Sequence, residues 1–456
     1  MSLATTSQAT SYIAFNSTRG GNYDIWLYNV RTGRSIQLTN GLGDSFSIPV
    51  WSADNSKIAF VGRNGIVYII YLAIGGIAAI DQIETDESTT LDWSPTNRDL
   101  AYTTRNQIYL YDVQSHKFRV ISEQGGDVQW FPSGREILYQ GADEAGVQQL
   151  YRIGVNGSGK RQITSNNEGP LNNVRLSPDG TFALYTTPGA SISLIRTVEL
   201  STGALFEIDG GSLAKNYHPT WSPNSGRIVF SATSYSDQQG YYNEIRVVGK
   251  RGGQEKVLTT SSCFSTPVTW SPDGRAIAFL SGCKEQEFAK EMWAVTLQNP
   301  RPILLLREPQ LFSLMWSSPR NRLSRKIYTN QTYKVSFYYP AHWQRIEEER
   351  YEGFDGFFQI SAISGGENIE EICRNEAFHK LMPYGTNPRI QRTFIQNQEA
   401  CYIFPSADQP PEMNRQAALI VRYPVPVQIG GATYQYFVLW ADESHIGELV
   451  RRIKLL

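Results

Sequence analysis

A short phrase recurs seven times in this chain: a polar lead-in, a Trp, Ser-Pro or a variant of it, a tight turn, then an apolar triplet. The fullest copy is Trp270-Ser271-Pro272-Asp273-Gly274-Arg275 followed by Ile277-Ala278-Phe279. Trp51-Ser52-Ala53-Asp54 leads to Ile58-Ala59-Phe60, and Trp93-Ser94-Pro95 to Leu100-Ala101-Tyr102. Trp130-Phe131-Pro132-Ser133-Gly134 leads to Ile137-Leu138-Tyr139. Leu176-Ser177-Pro178-Asp179-Gly180 leads to Phe182-Ala183-Leu184, and Trp221-Ser222-Pro223-Asn224 to Ile228-Val229-Phe230. The last copy, Trp316-Ser317-Ser318-Pro319, has no triplet after it. The spacing, roughly 37 to 49 residues, is that of four-stranded propeller blades.

One unit follows from turn chemistry. An extended lead-in ends on the Trp. Pro presets φ and Gly tolerates positive φ, so Ser-Pro-Asp-Gly turns tightly. The triplet returns as a second strand, and third strands such as Ile25–Tyr28, Ile108–Tyr111 and Met292–Val295 follow. A Gly-bearing turn and a fourth strand close the unit. Such a sheet buries its faces only by stacking on neighbours. The Trp residues Trp51, Trp93, Trp130, Trp221, Trp270 and Trp316 are therefore expected in the seams between blades.

Residues 12–41 hold only three strands, and Leu311–Trp316 is an orphan at the far end of the repeat. The economical reading is a mainly β fold: a seven-bladed β-propeller whose orphan strand completes the first blade, a one-plus-three closure that removes two exposed edges. A six-bladed ring with a stray strand is the alternative. The expected layout is a disordered leader at 1–11, the propeller at 12–319, a basic linker at 320–326 and a small α+β antiparallel-sheet domain at 327–456.

The Trp-Ser-Pro-Asp-Gly phrase with its Ile-Ala-Phe triplet resembles the propeller repeat of the TolB family, across residues 12–317. The resemblance implies a cell-envelope binding protein. Similar repeats precede hydrolase domains in the prolyl oligopeptidase group. No Gly-x-Ser-x-Gly occurs here, however, and the second half is too short for an α/β-hydrolase.

Past Pro319 the pattern changes. Tyr333–Pro340 alternates like a strand and Trp343 follows. Phe357–Ile363, Arg389–Ile395, Ala400–Phe404, Ala417–Tyr423 and Tyr434–Trp440 read as further strands. Helices are expected at Ile369–Leu381 and His445–Ile453, on one face of the sheet. The stretch Tyr333–Trp343, with its Phe-Tyr-Tyr-Pro-Ala-His-Trp core, resembles the opening of the PsbP-like fold, whose members are mostly extracytoplasmic accessory factors.

Composition narrows the partners. Forty-two Lys and Arg balance 43 Asp and Glu, which gives no electrostatic footprint for nucleic acid. The uncharged run Gly65–Ile80 is too short for a membrane span, and its Gly75-Gly76 marks a hairpin. Met1–Thr6 has neither a basic nor an apolar region. It reads as an appended leader, with a native signal or anchor missing from this chain. Of the four cysteines, Cys263 falls almost opposite Cys283 across the turn at Pro272–Arg275, and Cys373 with Cys401 is a second possible pair. Paired, they place the protein in an oxidising compartment, periplasmic or secreted. Four buried free thiols are the alternative.

Reactive sets are sparse. Gly154–Arg161 imitates a P-loop but lacks the final Ser or Thr and lies between strands. The five His residues are scattered, so no metal or other cofactor is expected, and His445 with Glu448 reads as helix capping and surface charge. The acidic tips at Asp86-Glu87 and Asp143-Glu144 lack a calcium loop's ligands. No Cys-x-x-Cys supports redox chemistry.

What remains is positional. Residues leading into each inner strand ring one mouth of a propeller channel: Asp44, Ser45, Glu87, Asp127, Asn172, Asn216, Tyr217, His218, Phe264 and Phe312. The expectation is a non-enzymatic scaffold of the cell envelope that binds a protein or peptide there. The alternative is a protein that binds or cleaves cell-wall glycan through the carboxylates Asp44, Glu87, Asp92 and Asp127.

Overall fold

The computed structural model describes residues 11–72, 75–85, 89–167, 169–188, 193–208, 216–238, 240–284, 288–318, 325–340, 343–353, 356–366, 368–410, 413, 415–443 and 445–456. The expected leader and linker fall outside these residues, apart from Ser11, Arg325 and Lys326. The chain divides into two compact units, Met1–Ile70 with Ile77–Arg322 and Tyr71–Gly76 with Leu323–Leu456. Strand makes up 56% of the chain and helix 4%.

The first unit is a series of antiparallel sheets, each opened by a strand that ends on the repeat's Trp or its replacement. We call these the lead strands. Five sheets have four strands each, with lead strands Val50–Trp51, Leu91–Trp93, Gly126–Trp130, Asn172–Leu176 and Asn216–Trp221. The uncharged run forms the strands Ile66–Tyr71 and Gly76–Gln82 of one of them. A sixth sheet has seven strands and begins with the lead strand Val268–Trp270. At its centre lies the long strand Ile303–Trp316, which pairs with Ala289–Thr296 through its first part and with Tyr12–Ser17 through its last. The expected orphan is thus the end of a strand that began in the preceding unit. Among the described residues no sheet closes on itself.

In five of the turns the Ser that follows the Trp, or Leu176 in its place, has a specific task. Its buried hydroxyl accepts the N–H of the residue five positions on, 2.9 Å away at Ser52, Ser94, Ser177, Ser222 and Ser271. At Ser52, Ser177, Ser222 and Ser271 it donates in turn to the Asp or Asn two positions on, as from Ser271 to Asp273 at 2.6 Å. This satisfies donors that the turn would otherwise bury unpaired. The turn's fourth residue takes positive φ, and Asn55, Asn97, Gly134, Gly180, Ser225 and Gly274 all fill that place.

In the second unit, a sheet of seven strands runs from Gln344–Arg345 at one edge to Arg389–Ile395 at the other. Its central strands, Gln416–Ile429 and Ala432–Asp442, are apolar on both faces. Ala417, Leu419 and Val421 join a core with helix α2 (Ile446–Val450) and the strand Val335–Pro340. The alternate residues Ala418 and Ile420 join a second core with helix α1 (Ile369–Ala377). The helices therefore lie on opposite faces, not on one. Strict alternation hides this, because both sets of positions are hydrophobic. Helix α1 also stops earlier than expected. Asn368 caps its start by accepting the Glu371 N–H at 3.0 Å, and Pro383 lies just beyond the turn that ends it. Trp343 is buried at the centre of the first core.

Candidate functional site: two ends of the lead strands

At the turn end, successive sheets grip one another. The indole N–H of Trp51 donates to the Met315 carbonyl at 3.1 Å, Trp93 to Val50 at 3.1 Å, Trp221 to Arg175 at 3.0 Å and Trp270 to Thr220 at 3.2 Å. The turns also interlock. Asn97 Oδ1 accepts the Asp54 N–H at 3.0 Å, and Ser225 Oγ accepts the Asp179 N–H at 2.9 Å. Where the fourth residue is Gly, the proline of the previous turn rides on it, and a Cβ at Gly180 would meet Pro132 Cδ at 2.8 Å. These turns surround a cavity of about 480 Å³ lined by Trp51, Trp93 and Trp130 with Asp92, Gln129 and Asp179 among the polar groups. Burial raises the pKa of Asp179, but hydrogen bonds from Ser177 and Thr181 outweigh it and hold the carboxyl below the usual range.

The expected site residues lie at the opposite ends of the lead strands, and the structure divides them. Asp127 is buried and accepts from Gln140 Nε2 and the Val174 N–H, both at 3.3 Å, so it ties adjacent sheets together. Asp44 accepts the Phe46 N–H at 2.8 Å within its own loop, beside Ser45. Asn216 is buried, and its Nδ2 donates to the Ser193 carbonyl at 2.8 Å. Asn172 is half-buried, and its carbonyl accepts the Thr186 hydroxyl at 3.1 Å. Glu87 lies outside the described residues. Of the proposed glycan-cleaving carboxylates, Asp92 lines the turn-end cavity, whereas Asp44 and Asp127 do not.

The aromatic members come together. Tyr217 meets Phe264 edge to face at 5.6 Å, and Phe312 packs between Tyr23 at 5.0 Å and Phe288 at 4.8 Å. Phe264 is 57% exposed, Phe288 51% and Phe46 87%. Sequence reasoning missed Phe46, Phe288 and Tyr23, although Phe46 sits in the lead-in of its own unit. Cys263, next to Phe264, is disulfide-bonded to Cys283. Cys373 and Cys401 form the second disulfide, joining α1 to the sheet.

Non-glycine residues with positive φ also cluster here. Asp127, Asn173, His218 and Ser265 have φ of 50°, 55°, 52° and 59°. The first three sit where their lead strand bulges. Solvent reaches the His218 ring, but protein surrounds it on most sides. That burial, with the nearby Arg175 charge, holds its pKa down at about 4. His218 Nε2 lies 3.1 Å from Ser265 Oγ.

In the second unit, His445 is not a surface cap. It is buried, its Nδ1 lies 2.8 Å from Asp442 Oδ1, and its ring meets Trp343 edge to face at 5.1 Å. Gly154–Arg161 turns between the strands Gln148–Gly154 and Arg161–Gln162. Among the described residues, no three His, Cys, Asp or Glu stand together as metal ligands, and no helix is long and apolar enough to cross a membrane.

The TolB beta propeller domain family matches residues 67–242. A TolB homolog of Chlorobium chlorochromatii is 28% identical over 163 residues, a match that spans 34% of this chain and 34% of that relative. Residues 67–242 are thus similar to a TolB beta propeller domain. An uncharacterized protein of Agrobacterium fabrum is 21% identical over 293 residues, covering 60% of this chain and 97% of its own length. Among solved structures, an oligogalacturonate lyase in complex with manganese has a TM-score of 0.50 at 11% identity, covering 73% of this chain and 94% of its own. That likeness is one of fold alone. It nevertheless overturns the expectation that this chain is not an enzyme, because the same propeller fold carries a lyase and no longer argues against catalysis.

Proposed function

We propose that this chain is a protein-binding scaffold of the cell envelope, extracytoplasmic, whose partner docks at the lead-in end of the TolB-like propeller. Exposed aromatic side chains carry this reading: the Tyr217–Phe264 pair, the Tyr23–Phe312–Phe288 trio and Phe46. Phe46, Phe264 and Phe288, backed by Tyr217, Tyr23 and Phe312, stand at one end of the strands. Exposed aromatic groups of this kind mark protein interfaces. The propeller is read as seven blades closed one-plus-three. The pairing of Ile13 with Trp316 and the bond from Trp51 to the Met315 carbonyl support that count. Two disulfides support an oxidising compartment. Residues 327–456 are read as a PsbP-like α+β domain. Within the expected site, Tyr217, His218, Phe264 and Phe312 contact the partner, while Asp44, Asp127, Asn172 and Asn216 hold the loops that present them.

The test is a pull-down from envelope extract with the full chain and with a Phe264→Ala/Phe288→Ala variant. The reading expects a discrete protein, identified by mass spectrometry, that the variant no longer retains. Equal retention by both proteins would remove Phe264 and Phe288 from the interface.

A further inference from the structure

Arg175 occupies an unusual place. It is half-buried on a lead strand, and the only hydrogen bond of its guanidinium runs from Nη1 to the Val174 carbonyl at 2.9 Å. No carboxylate pairs with it among the described residues. An enclosed cation normally has a partner, since partial burial weakens its hydration and raises the cost of leaving it alone. Asp127, bonded to the amide of the neighbouring Val174, is engaged there and with Gln140.

The groups around Arg175 are donors. Arg175 and His218 stand on lead strands joined by the bond from the Trp221 indole to the Arg175 carbonyl at 3.0 Å, and the Arg175 charge helps keep that imidazole neutral. A neutral imidazole carries one N–H, and its Nε2 shares a hydrogen bond with the Ser265 hydroxyl, so the pair keeps one donor for a ligand: Nδ1–H when Ser265 donates, or the Ser265 O–H when Nε2–H donates. The backbone is bent to place them. His218 and Ser265 hold φ of 52° and 59°, a conformation costing an L residue about 1–2 kcal/mol. Such outliers point towards function when the side chains they aim share a task. The exposed Phe264 and its neighbour Tyr217 form an apolar shelf alongside.

We propose that Arg175, His218 and Ser265 form a carboxylate-binding subsite that takes an Asp or Glu side chain of the bound peptide, with Tyr217 and Phe264 taking the apolar residue next to it. The proposal rests on the protein-binding reading above and specifies what that partner presents. The guanidinium fork matches a carboxylate and supplies charge-assisted hydrogen bonds. The one donor that the His218–Ser265 hydrogen bond leaves free adds to the acceptor's shell. The acid neutralises a cation that the fold leaves unpaired, which an amide of the same shape cannot do.

The experiment screens the full chain against an array of random short peptides. It then compares the best acidic peptide with its Gln or Asn counterpart on the unaltered chain and on Arg175→Gln. The expected result is enrichment of Asp or Glu beside an apolar residue. R175Q should lose that enrichment and weaken the acidic peptide about tenfold or more, while both proteins bind the amide counterpart equally. Arg175→Lys should restore part of the preference. Thermal melting should be unchanged, because the side chain makes a single hydrogen bond. If R175Q fails to fold, the acid-against-amide comparison on the unaltered chain decides the matter by itself. Peptides bound without acidic preference, or an acidic preference intact in R175Q, would overturn the subsite and leave the protein-binding reading standing. An array that retains no peptide would overturn both.

Discussion

The two ends of the lead strands obey different rules. At the turn end most sheets repeat one scheme: an indole to a carbonyl at Trp51, Trp93, Trp221 and Trp270, a Ser to the fifth amide, and proline against glycine or side chain against amide; the sheets led by Trp130 and Leu176 depart from it. At the lead-in end the backbone repeats a positive-φ residue in four sheets, but the side chains do not repeat. The equivalent places hold Asp127, Asn173, His218 and Ser265, and the exposed groups are aromatic in some sheets and polar in others. Repetition is what a stacking interface needs, because every seam solves the same packing problem. Variety with strain and exposed rings is what recognition needs. The contrast separates the residues that hold the propeller from those free to serve a partner.

The strongest way to break this contrast is at the turn end. Trp270→Ala removes a seam-filling indole and its bond to the Thr220 carbonyl, and should cost roughly 3–5 kcal/mol in chemical denaturation followed by circular dichroism. Replacing both Cys263 and Cys283 by Ser should cost about 3 kcal/mol, given their sequence separation of 20. That loss would show that the lead-in end relies on a covalent tie where the turn end relies on repetition. Gly180→Ala should cost about 2–3 kcal/mol, from a strained φ of 71° plus the contact with Pro132. Gly146→Ala, with a φ of 80° but nothing within 4 Å, should cost only about 1 kcal/mol. Equal losses in thermal melts would deny the interlocking of the turns. The smallest effect belongs to the lead-in end, where Phe46→Ala should stay within about 0.5 kcal/mol.

The pH dependence sharpens the same comparison. His218 has a folded pKa of about 4 against an ordinary 6.5. The unfolded chain therefore binds the proton first as pH falls, and stability declines from about pH 6.5 towards 4. His218→Gln should flatten that part of the profile. Arg175→Gln should shift the His218 titration upward, as proton NMR would show.

How much was legible in the sequence follows the same division. The turn end could be read because its chemistry is local: Ser, Pro, Asp and Gly act within six residues of the Trp. The lead-in end could be located but not sorted. Nothing near Asp127 in sequence reveals that its carboxylate ties to Val174 in the next sheet, and nothing near Phe288 places it against Phe312. In the second unit, the doubly apolar strands concealed which face each helix covers, and His445 gave no sign that Asp442 shares its burial. The enzyme question lay beyond the repeat altogether, since a scaffold pattern does not exclude a catalytic set built on it.

The most direct test of the central claim is site-specific photo-crosslinking in envelope extract, with a benzophenone side chain introduced at Phe46, Phe264 or Phe288 at one end and at Asn224 or Thr96 at the other. The account predicts a discrete cross-linked protein from the first three positions and none from the last two. Cross-links confined to Asn224 and Thr96 would contradict it and move recognition to the turn-end cavity.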